Sequence, residues 1–226
     1  PNGAGKTTLV KHAIGLLKPN RGRVLVEERD TGTMSVAEVA HTMGYVFQSP
    51  SHMLFAPSVR EELAFGPTNL GFGEADIADG VAWAVDTVNL KGLEDYPPLA
   101  LSFGQRKRVS IAAILAMRSK ILVMDEPTAG QDYANYMAFM DSILQMQGFQ
   151  AILFITHDLD LAICYANRVL LLYEGHIAAD GSPAEVLSDP ELLRRCRLVP
   201  TSLLDANLAY LPKTQRFMSA EALAHM

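Results

Sequence analysis

The chain has 226 residues, 49% of them apolar and 19% charged, and a formal net charge of −6. That is an ordinary globular composition, long enough for one large or two small domains, and its acidic balance gives no footprint for nucleic acid, which is not expected as a partner. The two cysteines, Cys164 and Cys196, lie far apart without metal-ligand spacing, as in a reducing compartment. No apolar run approaches the roughly 20 residues of a membrane-spanning helix.

The first residues, Pro1-Asn2-Gly3-Ala4-Gly5-Lys6-Thr7-Thr8, read as a phosphate cradle running into a helix. Gly3 and Gly5 permit strained backbone angles that turn consecutive N–H groups round an anion. Lys6 supplies a point charge for the outer phosphates, and the Thr7 hydroxyl suits magnesium. A helix over Thr8–Leu17, stopped by Pro19, aims its positive end at the same place. The usual pattern is G-x-x-x-x-G-K-[ST], so its leading glycine and the strand before it are expected upstream of Pro1.

Gly22–Glu28 reads as a short strand, Ser35 as the cap of a helix through Ala40, and Gly44–Phe47 as a strand ending at Gln48. The Gln48 side-chain oxygen is placed to ligate magnesium or orient a water, or else serves only in a loop. Ser49–Asn69 is rich in proline and aromatics around a predicted helix Val59–Ala64, which fits a lid, a docking surface or a stapled loop. Glu74–Val88 has helical apolar spacing. A further helix spans Gln105–Met117, with Ser102 where an N-cap belongs and Gly104 permitting close backbone approach.

Ile121–Glu126 is a continuous apolar run ending in two carboxylates, the pattern of a central parallel strand buried on both faces. Asp125 at its tip suits magnesium, and Glu126 suits a proton acceptor from an attacking water. A helix Tyr133–Gln147 and a strand Ala151–Ile155 lead to His157, placed to donate to a γ-phosphate. Closing strands are expected at Arg168–Tyr173 and His176–Ala179, then short helices at Ser182–Leu187 and Pro190–Cys196. The tail carries helical stretches at Leu203–Tyr210 and Ala220–Ala224, separated by Pro212. The alternation predicts an α/β fold with a mostly parallel sheet core and an inserted helical lobe over about 49–119.

In this order the motifs resemble the nucleotide-binding domain of ATP-binding cassette (ABC) proteins, a P-loop NTPase fold. Gly3-Ala4-Gly5-Lys6-Thr7-Thr8 is similar to the Walker A loop, Gln48 to the Q-loop and Leu101-Ser102-Phe103-Gly104-Gln105 to the signature motif. Ile121–Asp125 with Glu126 resembles Walker B and its following glutamate, Ala129-Gly130-Gln131-Asp132 the D-loop, and His157 the switch histidine. Phe47-Gln48-Ser49-Pro50, Phe55-Ala56-Pro57-Ser58-Val59, Ala64-Phe65-Gly66-Pro67, Asn69-Leu70-Gly71 and Phe103 within the signature resemble the energy-coupling factor (ECF) branch, importers of vitamins or transition metals.

The resemblance implies ATP and Mg2+ as cofactors. Nucleotide contacts fall to Asn2, Gly3, Ala4, Gly5, Lys6, Thr7, Thr8, Ser102, Gly104 and Gln105; metal contacts to Thr7, Gln48 and Asp125; catalytic roles to Glu126, His157 and Gln48. The aromatic residue that stacks on adenine is expected upstream. Residues 1–197 form the ATPase domain, and 198–226 a C-terminal extension. The implied partners are a second ABC ATPase subunit and an integral membrane subunit, at the cytoplasmic face of the membrane. Two alternatives stand beside the importer: a soluble ABC ATPase of ribosomes or chromosomes, marked by tandem cassettes or a long coiled-coil insertion, and a regulatory module that binds nucleotide without turnover.

Overall fold

The computed structural model describes residues 3–128 and 133–225, and of 133–135 the backbone only. Asn2 and the expected D-loop residues Ala129-Gly130-Gln131-Asp132 lie outside the described residues. Two compact units make up the chain, Val10–Ile155 and Pro1–Leu9 with Thr156–Met226. Helix α1 (Lys6–Ala13) runs from the second into the first.

In the Val10–Ile155 unit, β1 (Leu25–Val26) and β2 (Arg29–Asp30) form a two-residue hairpin where one longer strand, Gly22–Glu28, was expected. Glu27 and Glu28 both take positive φ, +48° and +65°, as a hairpin turn of this length requires. The expectation failed because the turn lacks the usual Asn-Gly signal. It is held instead by Glu27, which pairs with Lys120 and accepts from the Thr42 hydroxyl; the pair keeps the Glu27 carboxyl below the usual range.

Helix α2 (Val36–Ala40) starts at a capping box made by Ser35 and Glu38. It leads into β3 (Met43–Val46), which pairs in parallel with β4 (Ile121–Asp125), itself parallel to β5 (Ala151–Ile155), in the order β3-β4-β5. The central strand is as expected: Leu122, Val123 and Met124 are fully buried, each contributing on the order of 1.5–3 kcal/mol. One side of this core gathers Val10, Ile14, Val26, Met34, Val39, Met43, Val123 and Ile155.

Between β3 and β4 come α3 (Val59–Asn69), α4 (Glu74–Thr87) and α5 (Phe103–Ala116), with no strand among residues 48–120. Helix α3 runs five residues beyond the expected end, Ala64, through Pro67. Pro67 leaves only the Leu63 carbonyl without its amide donor, and beyond it the Leu70 and Phe72 amides close the end of the helix onto the Gly66 and Pro67 carbonyls. Helix α6 (Tyr133–Gln145) precedes β5.

The other unit contains α7 (Leu159–Tyr165), which the apolar pattern did not reveal; Asp158 caps it through the amides of Asp160 and Leu161. The antiparallel hairpin β6 (Val169–Tyr173) and β7 (His176–Gly181) follows, then α8 (Pro183–Leu187) and α9 (Pro190–Arg195). In the tail, α10 (Ser202–Thr214) contains Pro212 instead of ending before it, and α11 (Ala220–Ala224) follows. Leu204 of α10 is buried in one cluster with Ile163, Leu171, Val186 and Leu193, so residues beyond 197 share this unit's core. Buried Asn207 fastens the chain after α10, donating to the Met218 carbonyl and accepting from its amide.

Helix α5 packs on the sheet at Gly44. A Cβ there would lie 2.2 Å from Ile114 Cγ2 and 3.0 Å from its Cγ1, an overlap that a β-branched neighbour fixed in a helix relieves only by moving the helix. Gly44→Ala is therefore expected to destabilise the fold by about 2 kcal/mol, a fall in Tm of about 4–8 °C by differential scanning calorimetry. An unchanged Tm would refute the close-approach argument.

Candidate functional site

The glycine turn expected to cradle phosphate precedes α1. Gly3 and Gly5 have φ of +74° and +96°, the left-handed region that glycine alone enters without strain. The Gly5 carbonyl accepts from the Leu9 amide, opening the helix. Buried Ala4 accepts through its carbonyl from the Gly175 amide at 3.1 Å, and a Cβ on Gly5 would come 3.7 Å from Gly175 Cα. The tight β6–β7 turn, Glu174-Gly175, thus braces the loop from outside. Lys6, Thr7 and Thr8 form the first turn of α1, where the helix N-terminus favours an anion.

His157 is exposed in the link between β5 and α7. Its neighbours fix the backbone there: Thr156 Oγ1 accepts from the Asp158 amide at 2.9 Å, and Asp158 caps α7. Asp160, within α7, accepts from the Thr201 hydroxyl ahead of α10, at 2.5 Å.

In the Val10–Ile155 unit, Val46 pairs with Met124 and Asp125 with Ile155. Parallel pairing brings the carboxyl ends of β3 and β4 to one edge of the sheet, so Gln48, Asp125 and Glu126 share that edge. Glu126 has φ of +47°, unusual for a residue with a Cβ, and its amide donates to the Ile155 carbonyl at 2.8 Å. Such a conformation costs of order 1–3 kcal/mol and persists only where its surroundings enforce it.

Asp125 accepts through Oδ2 from the Tyr45 hydroxyl at 2.7 Å. Burial, followed by this bond and the charge of Asp125, pushes the Tyr45 hydroxyl well above the ordinary tyrosine range, so it remains a donor. Tyr45 also stacks edge-on against Phe47, with centroids 4.9 Å apart. The sequence reading passed over Tyr45. Its signal was a phenol inside a short buried strand, which has to find a polar partner for its hydroxyl.

Ser102 and Gln105 cap α5 reciprocally: Ser102 Oγ accepts from the Gln105 amide, and Gln105 Oε1 from the Ser102 amide. Gly104 is exposed, and a Cβ there would meet nothing within 4 Å, leaving the backbone at Gly104 open to an approaching group. The cap reading of Ser102 and the binding reading are compatible, since the hydroxyl that accepts from the helix still has a proton to donate.

A family model described as "ABC transporter" matches residues 1–129. A putative ABC transporter ATP-binding protein of Methanosarcina acetivorans is 45% identical over 87% of this chain, which spans 61% of that relative's length. The energy-coupling factor transporter ATP-binding protein EcfA of Methanocaldococcus jannaschii is 44% identical, with 88% of this chain and 72% of the relative covered. Among solved structures, cbiO1 of Clostridium perfringens, described as part of the ABC transporter complex cbiONQ, superposes with a TM-score of 0.76 at 36% identity, covering 86% of this chain and 79% of that one. The chain belongs to the ABC transporter ATPase family. Its α/β fold is that of the family, and among its described residues no helix is long and apolar enough to cross a membrane.

The donor types fit a nucleotide-bound magnesium ion: hydroxyl, amide and carboxylate oxygens, with glycine turns at the expected phosphate contacts. Tyr45 orients one of those carboxylates, Asp125. Tyr45→Phe is expected to weaken magnesium-nucleotide binding about tenfold, the loss of roughly 1.4 kcal/mol from one charge-assisted bond, while metal-free nucleotide binds as before. Titration calorimetry with and without magnesium measures both; equal losses in the two would remove the orienting role.

Proposed function

We propose that this chain is the ATP-hydrolysing part of an importer of the energy-coupling factor type, taking up a vitamin or a transition-metal ion through separate membrane subunits. The observation that carries the reading is the edge where β4 delivers Asp125 and Glu126 beside Gln48, with Glu126 pinned in a strained backbone. Relatives named as energy-coupling factor ATPases support the branch. Residues 1–197 are assigned to the ATPase domain and 198–226 to an extension.

Bound ATP and Mg2+ supply the scissile phosphoanhydride and neutralise the charge that develops on it. For the protein, Asn2, Gly3, Ala4, Gly5 and Thr8 offer backbone and side-chain donors to the phosphates, and Lys6 a cation. Thr7, Gln48 and Asp125 are the oxygen donors assigned to the metal. Glu126 accepts a proton from the attacking water, and His157 donates to the γ-phosphate. Ser102, Gly104 and Gln105 face the nucleotide of a second ABC ATPase subunit, so that two chains sandwich two nucleotides head to tail. Donors brought by the second chain complete an electrostatic site that neither chain has alone.

The helical lobe is assigned to the membrane subunit. Phe55 and Phe65 stack edge to face, with centroids 4.8 Å apart, and are 62% and 52% exposed. Buried Glu62 accepts from the amides of both Phe55 and Ala56 at 2.8 Å, locking the loop that presents the pair. Exposed aromatics on a fixed loop suit an apolar partner, and the ATPase then sits at the cytoplasmic face of the membrane.

Two experiments on the full protein test this. Glu126→Gln should retain ATP binding and lower steady-state phosphate release at least tenfold; unchanged turnover would remove Glu126 as the proton acceptor. Phe55→Ala with Phe65→Ala should strip the ATPase from its co-expressed membrane subunit in a pull-down while leaving basal hydrolysis within about twofold. Retention equal to wild type would move the docking surface elsewhere.

A further inference from the structure

Lys107 stands in the basic run Gln105-Arg106-Lys107-Arg108, which as sequence resembles a solvated helix face. It is instead 1% exposed, among the most buried large side chains of the protein. Burial pushes its pKa down to about 8. An ammonium is costly to bury without compensation, and a methionine of similar length would fill the same space without a charge. The position therefore has a polar task.

Three observations identify that task. The Lys107 ammonium donates to the carbonyl of Pro127, the residue directly after Glu126. It lies 5.6 Å from the ring centroid of Phe103, one turn earlier on α5, and 5.1 Å from that of Phe139 on α6, so two aromatic faces fix its direction. The Glu126 turn is strained, at φ +47°, and its amide is already tied to Ile155. The turn is thus held on one side by the end of β5 and on the other by the helix that begins at Ser102.

We infer that Lys107 is a positioning residue that couples the signature end of α5 to the Glu126 turn of the same chain, so that nucleotide seated at Ser102 and Gly104 is felt at the proton acceptor. This rests on the assignments of Ser102 and Glu126 made above. A shift of α5 on binding moves the ammonium, and the ammonium moves the Pro127 carbonyl. Because the adjoining backbone is strained, a small displacement there changes where the Glu126 side chain points.

The test uses the full protein with Lys107→Met, Ser102→Ala and the double variant. Lys107→Met should lower kcat at least tenfold with KM for ATP within twofold of wild type. If Lys107 transmits from Ser102, the double variant should be no slower than the worse single variant, whereas independent contributions multiply. A kcat equal to wild type, or multiplicative losses, would overturn the inference. Should Lys107→Met not fold, amide hydrogen exchange settles the matter without it. A non-hydrolysable ATP analogue should slow exchange at Glu126 and Thr128 in wild type but not in Ser102→Ala, and equal protection in both would overturn the coupling. A wild-type protein that splits no ATP would bring down the ATPase reading and this inference together; active wild type with unaffected Lys107→Met removes the inference alone.

Discussion

The arrangement depends on one constraint: a strand buried on both faces has to end in carboxylates that stay in fixed places. Leu122, Val123 and Met124 anchor β4 between two parallel neighbours, and hydrophobic burial sets its register. Polar contacts begin where that burial stops. Tyr45 reaches from the adjacent strand to Asp125, the Ile155 carbonyl takes the Glu126 amide, and Lys107 takes the Pro127 carbonyl. Three consecutive residues are thus held by three different elements, which is how a strained turn persists without glycine.

The glycine turn ahead of α1 solves the opposite problem. There Gly3, Ala4 and Gly5 are small and the two glycines take positive φ, so rigidity comes from outside through the Gly175 contact with Ala4. Gly175 has φ of +78° in a tight hairpin turn, with Glu174 at +47° before it. The hairpin's closure and the loop's bracing use the same turn, so β6 and β7, remote in sequence from the loop, belong to its support.

Much of this was legible in the residues. The apolar run at 121–124, the strand 151–155 and the caps at Ser35 and Ser102 each rest on a local rule, and local rules survive folding. The hairpin at Glu27-Glu28 was not legible, because a residue in the left-handed region is recognisable in sequence only when it is glycine or asparagine. Nor were α3 beyond Ala64 and α10 through Pro212, because proline reads locally as a stop while the helices carry on past it. Helix α7 was too short to show a period. Tyr45 and Lys107 escaped for a shared reason: their role lies in contacts 80 and 20 residues away in sequence, and no periodicity encodes such a pairing.

The buried lysine also bears on the N-terminal end of α5. A helix N-terminus is a general anion site, but Ser102 and Gln105 already satisfy each other, so this helix end is capped from within. What distinguishes it from any capped helix is what its next turn touches. With Lys107 sealed between two rings and bonded to the Glu126 turn, α5 cannot shift without either carrying that turn or abandoning a buried ammonium. The second is costly for a charge that is 1% exposed. Burial of the charge thus makes the link stiff, and an exposed lysine making the same hydrogen bond would exchange it for water at little cost.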